Sequence, residues 1–247
     1  MSSSQSDESR RSLVEEFLSH PSRFPGWSAA TRRRLVEEGR LVHVARQTVL
    51  ATAGEVPEAC YMIMEGVAAA TTPTPQGADF LPGFLYPGAF LGLAAMFTDQ
   101  ALIQNWYAQS TLKALRIPRR TFVECCLADP KMALFVLDTL VGWGRAGAIR
   151  TAHLIHADAR GRVVFALLSI FEQQPMTGDR HRGHLHLSQN DLCRMTGLTR
   201  QSISTHLRAL RELGVLDPES TRIVVKSVDR LREMAVGLDA PAMAATR

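Results

Sequence analysis

Between Thr199 and Arg211 the chain carries Arg200, Gln201, Ser204, Thr205 and Arg208, and no acid. Gln201, Ser204, Thr205 and Arg208 fall at i, i+3, i+4 and i+7, so on a helix they share one face, with Arg200 beside them at its start. These residue types suit the edges of base pairs: Arg offers a fork to guanine, Gln a donor and acceptor to adenine, Thr a methyl to thymine. Thr199 and Ser202 flank the face with short hydroxyls, and Ser188 and Arg208 are expected mainly to position a phosphate backbone. The competing reading is a solvated polar face on a small helical hairpin, which would ordinarily draw on acids.

That face needs a helix held at a fixed angle, and the surrounding segment, Leu187 to Asp217, supplies one. Ser188 followed by Asp191 is a capping-type start, and Leu192 and Met195 lie on one side of a short helix ending near Thr196. Gly197 allows a left-handed turn residue, Leu198 plugs the turn, and Thr199 is a good N-cap for the next helix. The second helix places Ile203, Leu207, Leu210 and Leu213 on its inner face and stops at Gly214. This is the spacing of a helix–turn–helix. VLDPESTRIVVKSV then reads as two short strands and a loop, a wing.

Upstream, residues 1–12 read as disordered, with short helices at Leu13–Phe17 and Thr31–Glu38, the latter with Thr31 as N-cap. From Leu41 to Ile117, short β-type runs alternate with Gly and Pro punctuation: LVHVA, TVLAT, CYMIMEG, VAAATT, DFLPGFLYPGAF and TLKALRIP. Such runs, with turns at Glu65-Gly66 and Gln76-Gly77, indicate an antiparallel sandwich or barrel. After Pro118 the period becomes helical. Arg119–Ala128 is a short helix, and from Pro130 a stripe through Leu137, Val141, Ala148 and Ile155 predicts a helix of about 27 residues, some 40 Å long. That exceeds what so small a domain covers, so the stripe reads as a dimer face. Gly142, Gly144 and Gly147 then mark either a close helix–helix approach or a bend. Asp158–Gln174 is a further amphipathic helix.

Composition narrows the function classes. Of 247 residues, 46% are hydrophobic and 21% charged, enough apolar side chain to build a core. No uninterrupted apolar run approaches about 18 residues, and the polar start MSSSQSDESRRS has no apolar stretch behind it, so neither membrane insertion nor secretion is expected. Net charge is 28 − 24 = +4, and residues 160–211 alone hold eight Arg against three acids, a hint of a polyanion partner. Cys60, Cys125, Cys126 and Cys193 lack C-x-x-C spacing, which suits a reducing cytoplasm. Buried structural thiols are the expected role of Cys125-Cys126. His181, His184 and His186 lie close together without a Cys or acid at matching spacing, so no metal site is expected, and His43 is a lone histidine on a strand. The signatures of hydrolases and phosphate-binding loops are missing, and no enzymatic activity is expected.

A short-stranded domain, a long helix and a winged helix–turn–helix together resemble the Crp/Fnr family of bacterial transcription regulators, over about residues 20–237. YMIMEGVAA resembles the family's strand–glycine–strand stretch, and PGAFLGLAAMF its phosphate-binding cassette. The resemblance implies an α+β chain: residues 1–19 a disordered or helical arm, 20–128 a cyclic-nucleotide-binding-type β-roll sensor, 129–157 a dimerisation helix, 158–237 the winged helix–turn–helix, and 238–247 a flexible tail. It implies a cytoplasmic homodimer on a palindromic operator in double-stranded DNA, with RNA polymerase as a candidate partner. The alternative is a ligand-sensing module whose winged helix binds protein. The family's base-reading helix commonly carries Arg, Glu and a later Arg. The first matches Arg200, while the others fall on Gln201 and Thr205, which implies a different operator.

The resemblance also bears on the effector. In the family's cyclic-nucleotide binders, a Glu after the cassette Gly holds the ribose and an Arg ten residues on pairs the phosphate. Here Gly92 is followed by Leu93, and the Arg position is Ile103, with Gln104 next. A buried phosphate without a cation is severely disfavoured, so cAMP and cGMP are not expected as ligands by the usual contacts. Leu91, Gly92, Leu93, Met96, Ile103 and Gln104 mark the effector position, read either as an apolar pocket or, preferably, as filled core. The family's iron–sulfur branch needs clustered N-terminal cysteines, and none precedes Cys60.

Overall fold

A computed structural model describes residues 2–20, 22–75, 77–175, 183–220 and 222–235. The fold is α+β, in two units. The first comprises residues 2–73 and 84–143, the second residues 74–83 and 144–235.

The first unit opens with helix α1 (Ser2–Ser19), the helical alternative of the arm expected at residues 1–19, and it runs through the residues 2–12 expected to be disordered. Val14 and Leu18 are buried in the core, and once such an anchor fixes a turn, propagating a helix adds one hydrogen bond per residue. Helix α2 (Ala29–Glu38) begins two residues before the expected Thr31. Its N-cap is Ser28, whose hydroxyl accepts from the Thr31 amide, while Thr31 itself is buried and donates to Asp129. A Ser or Thr caps a helix only where its side chain can turn back on the first amides, and Thr31 faces inward instead.

Strands β1 (Arg40–Val44), β2 (Val49–Ala51), β3 (Ala59–Glu65) and β4 (Ala68–Pro73) follow. β5 (Asp79–Phe80) belongs to the second unit. The expected single run from 79 to 90 resolves into β5, β6 (Phe84–Leu85) and β7 (Phe90–Leu91), interrupted by Pro82 and Pro87, which cannot donate to a ladder. A 3-10 turn at Ala94–Phe97 precedes β8 (Asn105–Ala108), a strand that the sequence reading missed, and β9 (Leu112–Pro118). One antiparallel sheet has the order β1-β9-β3-β7; the other runs β2-β8-β4, with β6 alongside β4. Gly66 turns β3 into β4 at φ +86°, as the Glu65-Gly66 turn requires. Gln76, of the other expected turn, lies outside the described residues, as does the tail at 238–247.

Helix α3 (Arg119–Ala128) and helix α4 (Pro130–His156) match the helical periods. The core collects Phe24, Trp27, Phe90, Phe122 and Phe135, with Trp27 edge-on to Phe135 at 5.4 Å and Phe90 edge-on to Phe122 at 5.6 Å. Asp129 joins these helices. One carboxylate oxygen accepts from the Ser28 amide (2.8 Å) and the Thr31 hydroxyl (2.7 Å); the other caps α4 by accepting from the amides of Lys131 (3.0 Å) and Met132 (3.3 Å). Outward from that anchor, α4 leaves Leu134, Leu137, Val141 (60% exposed), Trp143 and Ile155 (65%) uncovered. It is long and apolar enough to cross a membrane, yet only 11% of its most apolar stretch is buried. An exposed apolar stripe of this length marks an interaction face. Nothing lies within 4 Å of a Cβ placed on Gly142, Gly144 or Gly147, and the helix runs through all three unbroken.

In the second unit α4 passes into helix α5 (Ala159–Gln173), capped by the Asp158 carboxylate on the Gly161 amide. Helices α6 (Gln189–Thr196) and α7 (Arg200–Glu212) form the expected pair. β10 (Gly183–His184) pairs with β11 (Val224–Val225), which also bridges to Leu216 to complete the wing. Helix α8 (Val228–Ala235), not anticipated, buries Val228, Leu231 and Ala235 and pairs Arg232 with Glu172 of α5 at 3.2 Å. The segment 74–83 adds an ion pair between Asp79 and Arg194 (3.2 Å).

Burial, the largest influence on Asp129, works against its ionisation, but the donors from Ser28, Thr31 and Met132 outweigh it and lower its pKa to about 2. A depressed carboxylate contributes stability that is present above the unfolded value near 4 and is lost as pH falls towards about 2. Asp129→Ala strands the donors of two helices and is expected to cost about 2–4 kcal/mol in urea denaturation at neutral pH. Asp129→Asn should flatten the acid limb of the stability curve between about pH 4 and pH 2. An unchanged limb would show that acid unfolding of this unit is set elsewhere.

Candidate nucleic-acid interface

Local chemistry fixes the α6–α7 pair before any partner is present. The Ser188 hydroxyl accepts from the Asp191 amide (3.1 Å), and the Asp191 carboxylate accepts in return from the Ser188 amide (2.8 Å) and hydroxyl (2.7 Å). α6 ends at Gly197, φ +70°, whose amide donates to the Cys193 carbonyl, the left-handed cap expected of that glycine. Thr199 then caps α7 by accepting from the Ser202 amide at 3.2 Å. Ile203, Leu207 and Leu210 are buried beneath. Leu213, expected on that inner face, is instead the C-cap of α7 and 48% exposed, because the helix ends at Glu212 and the chain turns away through Gly214.

The opposite face is open. Arg200, Gln201, Ser204 and Thr205 are exposed, and with Arg208 they line a concave recess of about 510 Å³. No acid lines it. The Thr205 hydroxyl turns back to the Gln201 carbonyl (3.1 Å), which leaves its methyl for apolar contact. Arg208 approaches Glu212 only to 3.9 Å, both side chains well exposed, an interaction worth little against a phosphate. Ser202 is half-buried at the helix start and Thr199 is committed to its cap. Ser188 is likewise committed: its amide and hydroxyl both donate to Asp191, so neither is left for a phosphate. The residue that sequence reasoning missed is Gln189, in the first turn of α6, which lines the recess beside Arg200. The signal was its place right after the N-cap, where a side chain projects towards whatever meets the helix terminus.

The six residues of the expected effector position divide between core and surface. Leu91, Leu93 and Met96 are buried in the core, whereas Ile103 is 75% exposed and Gln104 half-buried. Gly92 adopts φ +89° under the Trp106 indole, and a Cβ there would come within 2.3 Å of the ring. Trp106, on the unforeseen strand β8, fills the space beside the cassette. Arg119 reaches the cassette from outside it, but its guanidinium is engaged by the carbonyls of Met96 (3.1 Å) and Thr98 (2.8 Å) and by Asp99 (2.9 Å). Arg120 pairs with Glu124 at 2.8 Å.

Cys60, Cys125 and Cys126 are buried, and burial pushes their thiols up, Cys126 to about 12. Such thiols are inert. His43 is exposed on β1. His184 and His186 stand edge to face, 4.6 Å apart, with burial the first cause and His186 the second in lowering the His184 pKa. His181 lies outside the described residues.

Comparison with known proteins follows this division. Residues 41–129 match the sequence model of the cyclic nucleotide-binding domain, and residues 161–234 that of the Crp-like helix-turn-helix domain. The chain is similar to the cAMP-activated global transcriptional regulator CRP of Haemophilus influenzae, 19% identical over 202 residues that cover 79% of this chain and 90% of that protein. It is also similar to the cAMP-activated global transcriptional regulator Vfr of Pseudomonas aeruginosa, at 21% over 74% of this chain and 87% of that protein. Among solved structures, FixK2 from Bradyrhizobium japonicum has the same fold with a TM-score of 0.70, at 19% identity over 79% of this chain and 96% of that one. A CooA mutant from Carboxydothermus hydrogenoformans also reaches 0.70, at 18% identity over 90% and 95%.

Proposed function

Because this chain belongs to the Crp/Fnr family of transcription regulators and carries its helix–turn–helix DNA-binding domain, we propose that it works as a cytoplasmic homodimer reading a palindromic operator. The observation that carries the reading is the acid-free face of α7, exposed above a fully buried inner face. Arg200, Gln201 and Thr205 are the base readers, and Arg208 and Gln189 set the helix on the phosphate backbone, with Ser204 in the recess between them. Thr199, Ser202 and Ser188 serve by holding the helix starts rather than by touching bases. Residues 20–128 form the sensor, 129–157 the dimer helix and 158–237 the reading head. Selection of bound sites from a random DNA pool tests this as a whole, and should return an inverted repeat with half-site centres roughly 34–36 Å apart.

Two substitutions separate the roles. Arg200→Ala should cost roughly 1–3 kcal/mol on the selected operator and relax one base pair, while Arg208→Ala weakens all sequences alike and shallows the salt dependence. Unchanged selection and affinity in both variants would remove α7 from the interface, and would favour a winged helix that binds protein.

Dimerisation rests on the uncovered stripe of α4, which a second copy covers more economically than lipid, since Asp138, Arg145 and Arg150 lie along the same helix. Glycines at 142, 144 and 147 let two such helices approach closely. Val141→Glu with Ile155→Glu should sediment as a monomer at micromolar concentration and lose the palindromic site. A wild-type monomer under the same conditions would overturn the assignment. RNA polymerase is a candidate partner of the bound dimer.

The sensor domain is not a receptor for cAMP or cGMP. Leu93 cannot accept from a ribose hydroxyl, Ile103 cannot neutralise a phosphate, Trp106 fills the neighbouring space and Arg119 is already engaged. A desolvated, unpaired phosphate would cost several kcal/mol, and one neutral bond from Gln104 returns about 0.5–1.5 kcal/mol. Isothermal titration with either nucleotide should show no saturable heat at low micromolar concentration; saturation would mean that the pocket rearranges to find a cation.

A further inference from the structure

The second unit contains two guanidinium groups around one small recess with no acid in its lining. Arg150 and His153 project from α4 at i and i+3, Arg162, Phe165 and Ser169 from α5 at i, i+3 and i+7, and Met195 closes the recess from α6. These spacings put one stripe of each helix against the other. The recess measures about 10 Å³, room for about one water-sized body.

Two of the four polar side chains at its wall, His153 and Arg150, are incompletely satisfied. His153 is 5% exposed and stacks on Phe165 with ring centroids 3.9 Å apart and planes 18° from parallel. Its Nδ1 lies 2.8 Å from the Ile149 carbonyl, and because a carbonyl only accepts, Nδ1 carries the proton. Nε2 is then a buried lone pair with no partner among the described residues. Burial lowers the Arg150 pKa, and no carboxylate among the described residues pairs with it. Arg162 spends one donor on the Ala157 carbonyl, at 3.1 Å. Local acids are committed or missing: Asp158 caps α5, Glu172 pairs with Arg232, and α4 carries none from Thr139 to its end. A second copy lying parallel along α4 would present that same acid-free stretch.

A desolvated guanidinium is stable only when its charge and donors are met, and a planar fork of N–H groups is met best by two oxygens of one oxyanion. The lone pair on Nε2 asks for something more, a hydroxyl on the same ligand. A protonated phosphate supplies both, whereas a carboxylate supplies only the first. We propose that this recess is a binding site for a small phosphate group, with Arg150 and Arg162 holding its anionic oxygens and His153 Nε2 accepting from its hydroxyl. One oxygen fills the depth of the recess and the rest of the ligand faces outward.

The test is calorimetric titration of the full chain, in chloride buffer of constant ionic strength, with inorganic phosphate, methyl phosphate and acetate. Phosphate should saturate at one site per chain, with acetate at least about ten-fold weaker. Methyl phosphate binding as tightly as phosphate identifies a phosphate monoester as ligand, and binding about ten-fold weaker identifies free phosphate. Arg150→Gln and Arg162→Gln should each weaken phosphate by about ten-fold or more. Arg150→Gln should also melt no lower than the parent in chloride, because it removes a half-buried charge with no carboxylate beside it, and the thermal upshift by phosphate should vanish in it. The site is overturned if phosphate gives no saturable heat, if both variants bind it as the parent does, or if the response is lost only in Arg200→Ala, which would put the anion on the α7 face.

Discussion

One buried carboxylate organises the first unit. Asp129 receives donors from the start of α2 and from the first turn of α4, so the two helix termini share a single acceptor group. Each terminus would otherwise leave amides unmet in a buried place. The carboxylate stays ionised because those donors outweigh the penalty of its burial, so the arrangement is self-consistent only as a set. It also fixes where α4 begins. Pro130 occupies the first helical position, where its missing N–H costs nothing, and Met132 and Val136 point back into the core one turn on. With that end fixed, the apolar positions beyond the core stay exposed through Ile155, and a long apolar stripe is left uncovered within the chain.

The first unit matches the cyclic nucleotide-binding domain over residues 41–129, while its interior side chains differ from those that the resemblance implies. In the resemblance, a Glu and an Arg serve the ligand; here those positions hold Leu93, which is core, and Ile103, which is surface. The Trp106 indole packs directly against Gly92, closer than any Cβ there could stand. The one arginine that approaches from another element, Arg119, ties the 3-10 turn and its exit to the start of α3 by bonding carbonyls of Met96 and Thr98. A cation bound by three protein acceptors lowers the energy of the unliganded domain and would have to give them up to meet a phosphate. The likeness to the cAMP-activated regulators is shown at the level of the domains, while the side chains at these two positions differ from the pair that the resemblance implies.

What the sequence made legible depended on the length of the signal. α4, α5 and the α6–α7 pair each carry an apolar period over several turns, and their caps at Ser188, Gly197 and Thr199 have local chemistry that needs no tertiary knowledge. Strand β8 is four residues with no flanking turn signature, and its Trp106 matters through what it packs on, which spacing does not encode. Thr31 was mistaken for a cap because Ser28 and Thr31 are both competent caps, and only the distant Asp129 decides which one turns inward. Ser188 shows the same limit within the candidate site. Its residue type fits a phosphate contact, but that hydroxyl is already used by Asp191, a fact visible only once both side chains are placed.

A recognition helix must keep its orientation while its outer side chains change partners from water to bases, so its own stability cannot rest on those side chains. Here the division is clean. The capping box at Ser188, the left-handed Gly197 and the Thr199 cap satisfy the termini, and Ile203, Leu207 and Leu210 with Leu192 and Met195 supply the buried apolar area. Arg200 and Gln201 supply none of these caps and none of this buried area, so the helix holds its place without their side chains. Gln189 stands at the boundary between the two sets: it sits in the capped first turn of α6 and yet lines the recess of α7, so it joins the fixed geometry of one helix to the exposed face of the other.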